Sequence, residues 1–154
     1  MTQATAPQKT SSETPMPDPS KPGHFCWMEL MTPDREKAVR FYSELCGWEM
    51  DHRPMTAPCP DGEQSFTYTM AGPKGAPYKV AGMMQMDGPQ WAGIPPHWMA
   101  YITVKDVDAK VEQVTKLGGQ VKVPPTDIPD VGRFSVIQDP TGAVVSLITL
   151  KMKS

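Results

Sequence analysis

No stretch of this chain approaches the ~20 consecutive apolar residues of a membrane span, and no apolar core segment follows the basic residues near its start. Neither a spanning helix nor a signal peptide is therefore expected. An excess of one charge is also missing. Fifteen Lys and Arg stand against 17 Asp and Glu, a net charge of −2, and the two signs are interspersed. Without a basic stripe there is nothing to pair with phosphates, so nucleic acid is not an expected partner, and nor is a membrane. Cysteine is scarce: Cys26, Cys46 and Cys59 are odd in number and make no CxxC spacing, which argues against a disulfide framework and against structural zinc. GxSxG, P-loop and GxGxxG patterns are absent as well. Reduced thiols without an export signal point to the cytoplasm.

What is present divides into a tail and one small domain. Residues 1–22 are mostly Thr, Ser, Gln, Lys and Pro, too poor in large apolar groups to offset their ordering entropy, and are expected to be disordered. Residues 23–150 carry a weak internal repeat. Asp34, Val39, Leu45 and Gly47 recur in the same spacing as Asp106, Val111, Leu117 and Gly119. In the first copy, Phe25 to Met31 reads as a strand. Thr32 can cap a helix, with Pro33 and Asp34 in its first turn. Ala38, Phe41, Tyr42 and Leu45 then supply a buried stripe, and Gly47 the stop. In the second, the strand is Trp98 to Val104, the cap Asp106, the stripe Val107, Val111, Val114 and Leu117, and the stop Gly118-Gly119. Three strands are expected after each helix: 48–53, 65–70 and 79–86, then 120–123, 133–138 and 143–150. Asp139-Pro140-Thr141-Gly142 reads as the turn before the last one. Module one thus covers 23–86, a Pro- and Gly-containing linker 87–96, and module two 97–150.

Alternation along the first strand of each module separates two faces. Cys26, Met28 and Leu30 fall on one, suited to packing under a helix. Phe25, Trp27, Glu29 and Met31 fall on the other, with Met99, Tyr101 and Thr103 at the same parity in module two. Large side chains with one carboxylate and one phenol suit a ligand-facing surface, although the same face could simply pack against the other module. Trp27, Trp91, Trp98, Met83, Met84, Met86 and Met99 are candidates to line an adaptable apolar pocket or, equally, to fill core. Glu29 has two readings. It is a structural ion-pair partner, for instance of Arg133 or Arg53, or it is a cleft carboxylate that binds a polar group or moves a proton.

The run Trp27-Met28-Glu29-Leu30-Met31-Thr32-Pro33-Asp34, then Phe41-Tyr42 and Leu45-Cys46-Gly47-Trp48, resembles the opening of a vicinal-oxygen-chelate module. Gly132-Arg133-Phe134 and Asp139-Pro140-Thr141-Gly142 resemble its last hairpin. This is the glyoxalase/bleomycin-resistance/dioxygenase superfamily. The resemblance implies an α+β fold in which two βαβββ modules form a curved mixed sheet around a cleft, and it implies a homodimer. It also implies where metal-using members place their ligands, in the first and last strands of each module. Those positions hold Trp27, Met99 and Ser146 here, and the 80–86 segment of module one offers no carboxylate or imidazole. Such a set would not hold a hard divalent ion. A site from His24, His97 and Glu29 is the one rearrangement the sequence suggests. His52 is the remaining histidine.

Two functions follow from the resemblance. One is a metal-free, cofactor-free cleft that binds a small organic ligand against Trp27, Glu29, Met99, Tyr101 and Ser146. The other is a glyoxalase-like lyase or dioxygenase-like enzyme, with a non-standard metal site or with Glu29 as catalytic acid/base.

Overall fold

In a computed structural model, which describes residues 16–59 and 62–152, the chain forms one eight-stranded mixed sheet curled into a half-barrel, with two helices on its convex side. The elements are β1 (Phe25–Thr32), α1 (Arg35–Cys46), β2 (Trp48–Cys59), β3 (Gly62–Pro73), β4 (Ala81–Gln85), β5 (His97–Thr103), α2 (Val107–Lys116), β6 (Gln120–Ile128), β7 (Gly132–Gln138) and β8 (Val144–Leu150). A short 3-10 turn, Pro89–Trp91, lies between the modules. The first 15 residues of the expected tail fall outside the described residues. Residues 19–23 lie against the end of β5, where the Gly23 amide donates to Thr103 O and the Thr103 hydroxyl to Pro19 O. Among the described residues no helix is long and apolar enough to cross a membrane.

Strand order is β2-β3-β4-β1-β5-β8-β7-β6, the same pattern read outward from the centre in both directions. Each module closes on itself through a parallel pair, β1 with β4 and β5 with β8, and the modules meet along antiparallel β1 and β5. Both modules therefore pair within one chain. β2, β3 and β6 run longer than local signals predict. Pro54 and Pro58 sit inside β2, and Pro124 and Pro125 inside β6. Proline lacks an N–H for the ladder, which breaks a strand pattern in sequence, but these two strands are the sheet edges, where one side needs no partner.

The helix signals hold in part. Asp34, not Thr32, is the N-cap of α1, accepting from the Lys37 amide at 2.9 Å, while Thr32 Oγ1 accepts from the Asp34 amide. Asp106 caps α2 in the same way through Ala109. Gly47 closes α1 in the left-handed conformation, with φ of 62°. The buried stripes are narrower than predicted. Ala38, Val39 and Tyr42 pack beneath α1, and Val107 and Val114 are buried under α2. Phe41, Leu45 and Leu117 stay exposed, because the short helices touch the sheet over a single line of side chains.

The two faces of the sheet carry separate cores. Beneath α1, Leu30, Ala71 and Met83 pack with Tyr42, Trp48 and Trp98, and the Trp98 indole donates to Tyr42 Oη at 3.1 Å. Trp98 and Met83 are therefore helix-side core and not pocket lining. The concave face gathers Met31, Met99, Tyr101 and Ile148 with Trp27, Met84, Met86 and Trp91. Cys26 joins this second group, against strict alternation, because the β1–β5 register shifts between Phe25 and Trp27 and turns Phe25 out to solvent.

Candidate functional site

Glu29 lies in the middle of β1 on the concave face, with Met99 of β5 as its register partner on one side and Gly82 of β4 on the other. It is 7% exposed. Taking a carboxylate out of water costs several kcal/mol unless hydrogen bonds replace the solvent, and two phenols do so here. Tyr68 Oη donates to Glu29 Oε2 at 2.6 Å and Tyr101 Oη to Oε1 at 2.9 Å. The Trp27 indole N–H in turn donates to Tyr68 Oη at 2.9 Å. The result is a chain of donors, Trp27 to Tyr68 to Glu29, closed from the other side by Tyr101. Burial raises the Glu29 pKa above the usual carboxylate range, although both phenols pull it down. Both phenols are raised, first by their own burial and then by the neighbouring Glu29 charge.

The ion-pair reading of Glu29 is overturned. Arg133 is held by Asp108, at 2.7 Å from its Nε, and by Asp127, while Arg53 pairs with Asp51. No Lys, Arg or His among the described residues forms an ion pair with Glu29.

Of the residues singled out by sequence, Trp27, Glu29 and Tyr101 are joined in one hydrogen-bonded cluster, and Met99 packs within the same core. Ser146 is the register partner of Tyr101 and fully buried. Its hydroxyl lies close to that of Tyr101 yet completes no hydrogen bond of good geometry with a described group. Sequence reasoning missed Tyr68. Its signal lay in Gly82, a glycine inside an otherwise apolar strand, which marks a close approach by something else. A Cβ at Gly82 would overlap the Tyr68 hydroxyl.

The same glycine bears on the metal question. Register relates Gly82 to Glu29 as Ser146 is related to Tyr101, so Gly82 is the module-one counterpart of Ser146. The positions that metal-using members would fill with donors are thus Trp27, Met99, Ser146 and Gly82. None supplies a carboxylate or imidazole, the Tyr68 hydroxyl stands over the fourth, and both Glu29 oxygens already accept from phenols. These residues do not fit a hard divalent ion. His24 and His97 do not repair the set. His24 lies beside Thr103, at the opposite end of β5 from His97, about 20 Å away by strand rise. His52 bonds Thr69 Oγ1 on the helix side. Among the described residues no three His, Cys, Asp or Glu side chains converge. A shallow depression lined by Asp127, Asp130, Arg133 and Lys151 lies away from Glu29, and its charges are already paired with one another or with Asp108.

The model of the Glyoxalase/Bleomycin resistance protein/Dioxygenase superfamily matches residues 21–147. The curated protein "Putative glyoxylase CFP32" of Mycobacterium tuberculosis is 43% identical over 121 residues, which is 79% of this chain and 43% of that protein. "Anthracycline biosynthesis protein DnrV" of Streptomyces peucetius is 29% identical over 135 residues, 82% of this chain and 46% of that one. The chain spans less than half the length of both relatives. Among solved structures, methylmalonyl-CoA epimerase from Mycobacterium tuberculosis has a TM-score of 0.55 at 14% identity, covering 84% of this chain and 89% of that one, a likeness of fold alone. A family match over most of the chain, a relative of 43% identity and a shared half-barrel agree, and the chain belongs to the glyoxalase/bleomycin resistance protein/dioxygenase superfamily.

Proposed function

We propose that this domain binds a small organic molecule on the concave face of its sheet without a metal ion, with Glu29 as the polar anchor and Trp27, Met99, Tyr101 and Ser146 around it. The observation that carries the reading is the Trp27–Tyr68–Glu29–Tyr101 cluster, which lies beside the family's ligand positions and offers groups that suit organic contacts better than a cation of charge two. Thioethers and rings surround it, a lining that adapts to ligands of varied shape. A second reading is favoured by the raised pKa of Glu29: a buried carboxyl beside two phenols is equipped to move a proton, so metal-free acid/base catalysis is compatible with the same site.

The test joins two measurements. Elemental analysis of protein purified without a nickel column is expected to give far less than one metal per chain. Titration with an anthracycline, the compound class in one relative's name, is expected to quench tryptophan emission saturably. One Zn, Mn, Ni or Fe per chain, coordinated between the modules, would overturn the metal-free reading and restore a metal-dependent lyase or dioxygenase.

The reading includes a homodimer in the cytoplasm. Phe41 and Leu45, one turn apart on α1, are 57% and 67% exposed, an apolar pair that a second copy would cover. Cys26 and Cys46 are free thiols, as a reducing compartment would keep them.

A further inference from the structure

We propose that the outer part of the β2–β3 hairpin, residues 53–59 and 62–68, is a flap latched by Tyr68, and that its release opens the concave face beside Gly82. This rests on the small-molecule reading above and adds the movement that reading needs. Glu29, Tyr101 and Ser146 are all buried, so a molecule reaches them only if something gives way.

The two modules differ at this point. In module two, β7 pairs with β8 along its whole length, from Gly132 opposite Leu150 to Gln138 opposite Val144. Among the described residues, β3 of module one pairs with β4 only at Thr69, Met70 and Ala71. β4 itself continues to Gln85 beside β1, so β3 leaves the sheet while a partner strand is still at hand. Over 62–68 it pairs with β2 alone, a two-stranded ribbon roughly 20 Å long by strand rise. Such a ribbon is marginal by itself in water, and this one adds no core packing. Met55 and Phe66, opposite one another in it, belong to neither core.

What holds the ribbon is a set of hydrogen bonds at its root. Met70 is the partner of Gly82 and Val136 that of Ser146, so Tyr68 and Phe134, two residues earlier on each strand, are counterparts. Phe134 packs against the concave core. Tyr68 is in neither core, and is tied through its hydroxyl to Glu29 and Trp27. Beside it, Arg35 Nη1 donates to Thr67 O at 2.6 Å. An element held by polar ties at one end, with no apolar packing beyond them, opens locally while the sheet stays folded. With Tyr68 withdrawn, the absence of a side chain at Gly82 leaves the space of the hydroxyl free, next to the Trp27 indole.

The test begins with native-state hydrogen exchange, residue by residue, on the full chain without added ligand. Amides of 62–68 that bond to β2 are expected to be protected about tenfold less, or weaker still, than those of 132–138. Tyr68→Phe keeps the ring and removes the tie, and should speed exchange in the arm about tenfold further while leaving β7 unchanged. Should that variant fail to fold, Arg35→Gln, which frees Thr67, takes its place with the same expectation. Equal protection of the two hairpins, or an arm indifferent to the variant, overturns the flap. Titration with naphthylmethanol, a neutral aromatic probe, then tests what the flap admits. Tyr68→Ala, with the latch gone, is expected to bind it about tenfold tighter than wild type, the ratio that one lost hydrogen bond implies. Equal, measurable affinity of the two chains overturns the gating role of Tyr68. An arm that opens while neither chain binds the probe keeps the flap and counts against small-molecule binding.

Discussion

Glu29 is the residue on which stability and the proposed function meet. Its neutral form is favoured by folding, so an unfolded chain ionises at lower pH than the folded one. The stability linked to this group is complete below the ordinary glutamate value, about 4.3, and is lost as pH rises toward the higher folded value. Melting of wild type and Glu29→Gln, followed from pH 4 to 8, should show the wild-type chain losing ground as pH rises; a constant difference would show that folding leaves this carboxyl unshifted. Tyr68 and Gly82 form a steric pair beside it. Gly82→Ala should cost about 1–3 kcal/mol, because the new methyl needs the space of the Tyr68 hydroxyl. In a Tyr68→Ala background the same change should be nearly free, and a double-mutant cycle in denaturant measures the coupling. Additive costs would remove Tyr68 from that place.

At the scale of elements, the two helices use the same start. Asp34 and Asp106 each accept from the amide three residues on, at 2.9 and 3.0 Å. Replacing either by alanine should lower stability by about 1 kcal/mol in urea unfolding, since one helix donor is left to solvent. Thr32→Ala, by contrast, should cost less, because Thr32 lies outside α1 and its bond to the Asp34 amide is long, at 3.3 Å. The outer face of α1 carries a different prediction. Phe41→Ser with Leu45→Ser should leave melting little changed, as neither side chain is in the core, but should shift sedimentation from dimer to monomer. A chain already monomeric at micromolar concentration would deny α1 this role.

Across the whole molecule, local and non-local information separate cleanly. The two-module pattern, the Asp106 cap, the Gly47 stop and the Asp139–Gly142 turn were legible because each depends on a few adjacent residues, whereas the α1 cap was expected two residues early, at Thr32; Asp139 alone accepts from the Thr141 amide and hydroxyl and the Ala143 amide. The inward parity of Trp27, Glu29, Met99 and Tyr101 was also legible, since side chains alternate along any strand. So was the lack of hard metal donors at the family's positions, which is a matter of residue identity. Tertiary structure decided the rest. Pro54, Pro58, Pro124 and Pro125 interrupt a strand pattern in one dimension and are harmless at a sheet edge, and only strand order reveals which strands are edges. Cys26 changed faces through a register shift that alternation cannot foresee. Glu29 could have met Arg133 or Arg53 as far as sequence tells, and it met Tyr68 and Tyr101 instead. Those phenols lie 39 and 72 residues from it along the chain. Composition and periodicity state which face a residue takes, but which side chain crosses from another strand depends on strand order and register, and these are fixed only when the whole sheet assembles.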